Sequence, residues 1–584
     1  MPRVAALQFA TGTDIAENLA TCIRMIDAAA AQGARLMVLP EFCNHISWYA
    51  DQEQAWECAV ALDGPFLAEI AERARQHHCH ILLNVSLRRR QPQITVTSLL
   101  YGPAGELLGE ADKQSLMGHE NDFFTPATRA AGLVDTELGR IGFIACRDGI
   151  SFEPSRRLAL AGADILCNSL NSFAFDEASL HVRARAAESS LFMVAANKVG
   201  PLVPSVELAQ VSSMTAIPEA LLYGAGESQV VGPDGRPLVV GLRGQEDIVL
   251  AEIPERDRRV ALCMGSMDRR RPSLYSHLER DAEDASEDAA DSIEVALIDP
   301  EGEGIESVKR AEAQLLALPD SVRLAILPAC FPVRDPAADW ERAVELCRYA
   351  EERLALVSER CGLQVCTSVI EGEPGDWRHL GLLLDGGKRR LEQPELHRSA
   401  LELVPSGREL QVHDLPWGRV AILTGDDCLY PELARMAALQ GVHCLLVPRS
   451  RMATVKEAGS KAQGAGMDKD MSLLLLARAA ENRVCLAACG QGGGGLIATL
   501  EREFTLMQPW QERLFDGNIN LPLKTSQAGE VTIAEIHPNA AANKLISANT
   551  HLLSSRAHLS TSGLLQVEVQ AQGQAEDQAE VEPA

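Results

Sequence analysis

The 584-residue chain carries 54 basic and 81 acidic side chains, a formal net charge of −27 at pH 7. Hydrophobic residues make up 46% and charged residues 23%, which excludes a disordered, collagen-like or disulfide-dense chain and leaves room for three or four domains, or two large ones. So acidic a surface repels phosphate backbones, and nucleic acid is not expected as a partner. The fifteen cysteines are scattered without a CxxC pair or a Cys/His ladder, which argues against a zinc module and fits a reducing cytoplasm. The N-terminal MPRVAALQF reads at once as a strand, not as a signal peptide. No apolar run reaches the 18 residues or so of a membrane span.

In chain order, residues 15–34 show apolar positions at helical spacing, and RLMVLPEF (35–42) follows as a continuous apolar run that suits a buried strand. FLAEIAERARQHH (66–78) is a second helix before the strand HILLNVSL (80–87). GRIGFIAC (139–146) is a strand, SRRLALAGA (155–163) a helix and DILCNS (164–169) a strand. Such alternation predicts an α/β fold with helices packed on buried sheets.

The sequence also repeats itself. ARLMVLPEF (34–42) matches VRLAILPACF (322–331), GRIGFIACRDG (139–149) matches GRVAILTGDDC (418–428), and RARAAESSLFMVAANKVG (183–200) matches LARAAENRVCLAACGQGG (476–493). The offset is about 280 residues with small drifts, the mark of a duplicated unit. At the seam, ERDAEDASEDAAD (279–291) holds seven acids and one Arg and reads as a solvated linker.

Three residues of the first unit invite chemistry. Glu41 ends the strand RLMVLPEF, Lys113 lies in GEADKQSLMGHENDFFTP, and Cys146 ends the strand GRIGFIAC before the turn RDG. Singly, each has a bland reading: a packed cysteine, a solvated acid, a solvated lysine. Together, LPE (39–41), DK (112–113) and IAC (144–146), with EPSRRLALAGADIL (153–166), RARAAES (183–189), AANKVG (195–200) and DRRRPSLY (268–275), resemble the nitrilase (carbon–nitrogen hydrolase) superfamily over nearly all of residues 1–277. The resemblance implies a four-layer α-β-β-α sandwich, twice in one chain, forming an intramolecular pseudo-dimer. The expected divisions are 1–277 catalytic, 278–292 linker, 293–560 degenerate, and 561–584 a partly disordered tail.

The resemblance also implies roles. Glu41 is the general base that activates Cys146 and later water. Lys113 stabilises the tetrahedral oxyanion with the backbone N–H of Arg147. A thioester acyl-enzyme forms and water releases the acid. Glu120, in ENDFFTP (120–126), corresponds to an acid that positions substrate or lysine in part of the family; its bland reading is a solvated loop acid.

In the second unit LPE becomes Leu327-Pro328-Ala329, the thiol position becomes Gly425, and the lysine position falls at Glu395 or His397. Cys428 is the counterpart of Gly149 and should not face the pocket. This unit is expected to keep the fold without the chemistry, as a built-in dimer partner or as a regulatory half. HHCH (77–80) sits at a helix-to-strand junction, where neighbouring side chains diverge. GQGGGG (490–495) lacks the GK[ST] of a phosphate loop.

The expected activity is hydrolysis of a non-peptide C–N bond in a small amide or N-carbamoyl compound. Nitrile hydrolysis, acyl transfer to an amine and a non-catalytic binding role are the alternatives. The mechanism asks for no cofactor or metal. The expected partners are substrate and water, without a membrane, and further homo-oligomerisation stays open.

Overall fold

The computed structural model describes residues 2–254, 267, 269–399, 401–449, 471–492, 495–512, 514–519, 521, 523–527 and 529–565. Four six-stranded sheets form its frame. In the first, the order is Asp247–Glu252, Arg3–Gln8, Leu36–Val38, His80–Arg88, Ile94–Tyr101, Leu107–Asp112. The central strands Arg3–Gln8, Leu36–Val38 and His80–Arg88 run parallel, and the outer pairings are antiparallel. In the second sheet the parallel strands Gly139–Ala145, Ile165–Ser169 and Phe192–Ala196 form the centre.

The strands are apolar on both faces because both faces are covered. Along Arg3–Gln8, Val4 and Ala6 face the second sheet while Ala5 and Leu7 face the helices Ile15–Ala31 and Pro65–His77. This alternation follows the period of two of a strand. On the far side of the second sheet lie the helices Phe152–Leu160 and Arg183–Ser189. Helix, sheet, sheet and helix make the four-layer sandwich.

The remaining two sheets repeat this order strand for strand. Val531–Ile536, Ile293–Ile298, Val322–Ala329, Gln364–Glu373, Asp376–Asp385 and Lys388–Pro394 match the first, and a sheet centred on Gly418–Ile422, Cys444–Arg449 and Cys485–Gly490 matches the second. The two sandwiches meet through their inner helices. One apolar cluster joins Phe152, Ala184 and Ala187 to Leu433, Ala437, Leu474 and Ala477 of the helices Pro431–Leu439 and Met471–Asn482.

Within that contact four arginines and four glutamates are buried. Arg156 binds Glu432 (3.1 Å), and its counterpart Arg435 lies 3.4 Å from Glu153. Arg185 binds Glu481 (2.7 Å), and its counterpart Arg478 binds Glu188. Each bridge has its mirror, the signature of an isologous twofold contact held inside one chain. Arg270 adds a fifth guanidinium at Glu432 (2.9 Å), so each buried glutamate faces at least one arginine.

Two expectations about connecting segments change. The acidic run is not a free linker: Glu283 donates its N–H to Leu439 O, Ala290 donates its N–H to Trp417 O, and Ala285 is buried. Its small alanines dock while its acids stay outside. The division at 560 falls inside the helix His558–Leu565, whose Leu564 is fully buried and whose Ser560 donates to Gln114 (2.9 Å). Small and apolar residues in HLSTSGLL let it pack on the first sandwich. The rest of the expected tail, 566–584, lies outside the described residues.

Candidate active site

Glu41, Lys113 and Cys146 converge where strands of the first two sheets end. Glu41 follows Leu36–Val38, and its N–H bonds Leu170 O (3.1 Å), while Ser169 Oγ donates to Leu39 O (2.8 Å). These two bonds lock the strand ends of both sheets together. Phe42, directly after Glu41, has φ +56°, which turns the chain sharply out of the strand.

Lys113 follows the strand Leu107–Asp112 and crosses to the same point. Its Nζ donates to Glu41 Oε1 (2.8 Å) and to Glu120 Oε1 and Oε2 (2.9 and 2.8 Å). Those contacts use all three of its donors. Glu120 is therefore no solvated loop acid: it is buried, and it also accepts the N–H of Met117 (2.9 Å).

Cys146 opens a single 3-10 turn, Cys146–Gly149, at the end of Gly139–Ala145. Its φ is +45°, a strained value for a side chain that must stand clear of the sheet. Asn168 Oδ1 accepts its N–H (2.9 Å), and Asp148 in the same turn accepts the N–H groups of Gln114 (3.1 Å) and Ser115 (2.8 Å). Asp148 thus fixes the lysine loop to the cysteine turn. The hydrogen bonds that Asn168 and Asp148 make emerged only from the structure. Cys146 is partly exposed, whereas most of the other described cysteines are buried.

Burial dominates the electrostatics. It raises the Glu41 carboxyl to about 7, with Glu120 adding to the effect and Lys113 opposing it. Burial works against the charge on Lys113, but Glu120 and Glu41 outweigh it and hold the ammonium protonated. Burial and then Glu41 push the Cys146 thiol up, against the pull of Lys113. The resting state is thus a protonated thiol beside a carboxyl that titrates near neutrality, an arrangement suited to proton transfer.

The Arg147 side chain is buried and turned outward, donating to Leu116 O (2.8 Å), Ser555 Oγ (3.0 Å) and Ser555 O (3.3 Å). Gly118 N–H meets Thr550 Oγ1 (2.9 Å). The second sandwich therefore grips the loop between Lys113 and Glu120 and the turn carrying Cys146. No expectation from sequence anticipated this. Lys198, from AANKVG, is also drawn to the site: it is buried, its Nζ has no hydrogen-bond partner, and it lies 5.7 Å from the Phe42 ring centroid.

In the second sandwich Ala329, Glu395 and Gly425 hold the three places. Glu395 is identified by its backbone: its N–H bonds His379 O as Lys113 N–H bonds Val96 O, and Asp427 accepts from Leu396 and His397 as Asp148 accepts from Gln114 and Ser115. Cys428 is buried and receives Arg449 (2.7 Å). In HHCH, His77 pairs with Asp27 while Cys79 and His80 are buried. Among the described residues no group of three or more His, Cys, Asp or Glu could hold a metal ion, and no helix is long and apolar enough to cross a membrane.

A four-layer sandwich with a buried carboxylate–lysine pair beside a strand-end cysteine defines a class of hydrolase, and comparison with known proteins agrees. The carbon–nitrogen hydrolase family model matches residues 3–261. The "hydrolase in pqqF 5′ region" of Pseudomonas protegens is 30% identical over 275 residues, covering 46% of this chain and 88% of that protein. A nitrilase of Pyrococcus abyssi is 25% identical over 238 residues, covering 41% and 83%. The chain spans 45% of the length of the nitrilase and fragile histidine triad fusion protein NitFhit of Drosophila melanogaster, at 29% identity over 34% of this chain. Among solved structures, an amidase from Nesterenkonia sp. aligns at 22% identity and a TM-score of 0.38, over 47% of this chain and 95% of that one. The chain belongs to the carbon–nitrogen hydrolase family.

Proposed function

We propose that the first sandwich hydrolyses a non-peptide C–N bond of a small amide or N-carbamoyl compound through a thioester on Cys146. The observation that carries this reading is the buried ammonium of Lys113, held by Glu41 and Glu120 beside the partly exposed thiol.

The steps follow from the groups present. The Cys146 sulfur attacks the carbonyl carbon as its proton passes to Glu41. The oxygen becomes an oxyanion, which takes over one of the Lys113 N–H donors now directed at Glu120. It is also faced by the backbone N–H of Arg147, because the first N–H groups of a short helical turn have no acceptor within it. Collapse breaks the C–N bond, and the leaving amine or ammonia takes the proton from Glu41. Water then attacks the thioester, giving its proton to Glu41, and the acid and the free thiol are restored. Glu120 positions Lys113.

The second sandwich acts as a permanent dimer partner. Fusion makes the mirror-image contact intramolecular, so it does not weaken on dilution. The test is ammonia release across small amides, N-carbamoyl compounds and nitriles, with Cys146→Ala alongside. Release that disappears in the variant supports the reading. Release that survives Cys146→Ala, or none from any compound together with no preferential alkylation of Cys146, refutes it.

A further inference from the structure

The most unusual carboxylate near the thiol is one the mechanism leaves unused. Glu177 opens a π-helical turn, Glu177–Val182, between the strand Ile165–Ser169 and the helix Arg183–Ser189. Such wide turns are rare and cluster at functional sites. Glu177 is only 4% exposed, yet its Oε1 has no hydrogen-bond partner. It lies close enough to the catalytic set to act on the charge of Cys146 and to feel Glu41 and Lys113. Its neighbour Asp176 is buried as well, with Oδ1 unpartnered.

Two of the nearby cations are already paired, and the third, Lys198, lies toward Glu41 and Cys43 and is not among the charges that act most on Glu177. Lys113 is shared between Glu120 and Glu41. Arg185 is held by Glu481 (2.7 Å) and Glu188 (3.1 Å). Lys198 sits by the Phe42 ring, where Cys43 and Glu41 affect it more than Cys146 does. Burial, then Asp176 and Glu41, push the Glu177 carboxyl up to about 8, as expected of a carboxylate without a cation of its own. Without a cation the carboxyl rests largely protonated at neutral pH, with a buried oxygen still lacking a hydrogen bond, and a bound cation would satisfy that oxygen and draw off the proton.

The surroundings describe the rest of that partner. Trp48, Met117, Ile150 and Phe173 of the first sandwich pack in one apolar cluster with Phe515 and Ile519 of the second. Phe173 and Phe515 meet edge to face at 5.5 Å, and Phe175 N–H donates to Gly517 O (2.7 Å). The Ile519 N–H also reaches Asp176, and Asp516 adds another negative charge there. The second sandwich thus supplies a roof of apolar side chains with a carboxylate.

We infer that the substrate of this site is an amide bearing a positively charged amine, with Glu177 binding the ammonium and the Phe173–Phe515 wall packing against its carbon chain. This rests on the amidase reading and names the substrate class for it. Glu177 is then a specificity-determining residue of the first sandwich, and Phe515 is the contribution of the second.

The test compares three amides of equal length, ending in an ammonium, a methyl group or a carboxylate, by kcat/KM for ammonia release from the full chain. The ammonium amide should be preferred over its methyl counterpart by about tenfold to a hundredfold, the worth of one charge-assisted hydrogen bond. The carboxylate amide should be the poorest. Glu177→Gln should collapse the ammonium-to-methyl ratio to near unity, and Glu177→Asp should restore part of it, with thermal unfolding reporting that both variants are folded. Preference for the methyl or carboxylate amide, or an ammonium preference that survives Glu177→Gln, overturns the inference while the amidase reading stands. No release from any of the three while other amides or N-carbamoyl compounds are hydrolysed overturns the inference alone; no release from any compound, with no preferential alkylation of Cys146, overturns both.

Discussion

The site of the first sandwich and the matching place in the second share a backbone and differ in almost every chemical group. Phe42 and Cys330 both take positive φ (+56° and +48°), and so do Cys146 and Gly425 (+45° and +62°). Asp148 and Asp427 each tie the neighbouring loop by two N–H groups. Yet Glu41 has become Ala329, Lys113 has become Glu395, and the thiol is gone. In its place His379 bonds Ser368 Oγ (2.7 Å) and faces Glu395 (3.2 Å), all three buried. Burial disfavours the charge on His379, but Glu395 outweighs it and raises the imidazole. A side chain at Gly425 would collide with Glu395. The second place is a filled, charge-balanced plug. The comparison teaches that the frame is maintained by backbone bonds and sheet ends, whereas the chemistry resides in a few side chains that can be exchanged without losing it.

The strongest way to sharpen the comparison is to remove the one thiol that distinguishes the sites. Cys146→Ala should abolish ammonia release, a loss of at least about ten-thousand-fold in kcat, while Cys428→Ala leaves it within a factor of about two because Cys428 lies away from the site, at the contact between sandwiches. Equal losses in both variants would break the distinction between the two places.

Next comes the contact that joins them. Glu481→Gln removes a carboxylate held by Arg185 and Arg478 and leaves buried positive charge behind, which should cost about 3–5 kcal/mol. A urea midpoint unchanged from the parent would mean that the mirrored network does not hold the sandwiches together. A smaller effect is expected from Gly425→Cys, which puts a thiol where the second sandwich lacks one. With its left-handed backbone and the collision with Glu395, it should destabilise by about 1–3 kcal/mol. It should restore no second turnover, because Glu41 and Lys113 have no counterparts there.

The subtlest effect is on pH dependence. Glu41 must be ionised to accept the thiol proton, so kcat/KM should rise as pH increases through about 7. Glu120 raises the Glu41 carboxyl, so Glu120→Gln should move this acid limb to lower pH as well as slowing turnover. A limb that stays in place, or moves up, would show that Glu41 is not the titrating base. Alkylation of Cys146 with iodoacetamide, read peptide by peptide because Cys361 is exposed and Cys58 partly so, should follow the same limb.

How much of this was legible beforehand depended on the range of the interaction. The run Leu36–Val38 and the helix Ile15–Ala31 are set by local apolar spacing, and both were visible in the sequence. The repeat was visible too, because matched strands and helices preserve matched residues. Glu41, Lys113 and Cys146 stood out because their types and order form a pattern. The Glu-x-x-Arg of 153–156 recurs at 432–435, and the Arg-x-x-Glu of 185–188 recurs at 478–481, but that these face one another as a buried network is a fact of docking.

By itself, then, the sequence determined the α/β class, the internal repeat, and the Glu41, Lys113 and Cys146 pattern with its absence from the second unit, since each is written in short stretches of chain. Only the tertiary structure decided what surrounds them. Glu120 became a buried partner of Lys113, Asp148 a clamp, and Glu177 an unpaired carboxylate, and the roof came from residues more than 300 positions away in the chain. The physical reason is that burial and pairing depend on what packs against a side chain, and here much of that packing is supplied by the other sandwich.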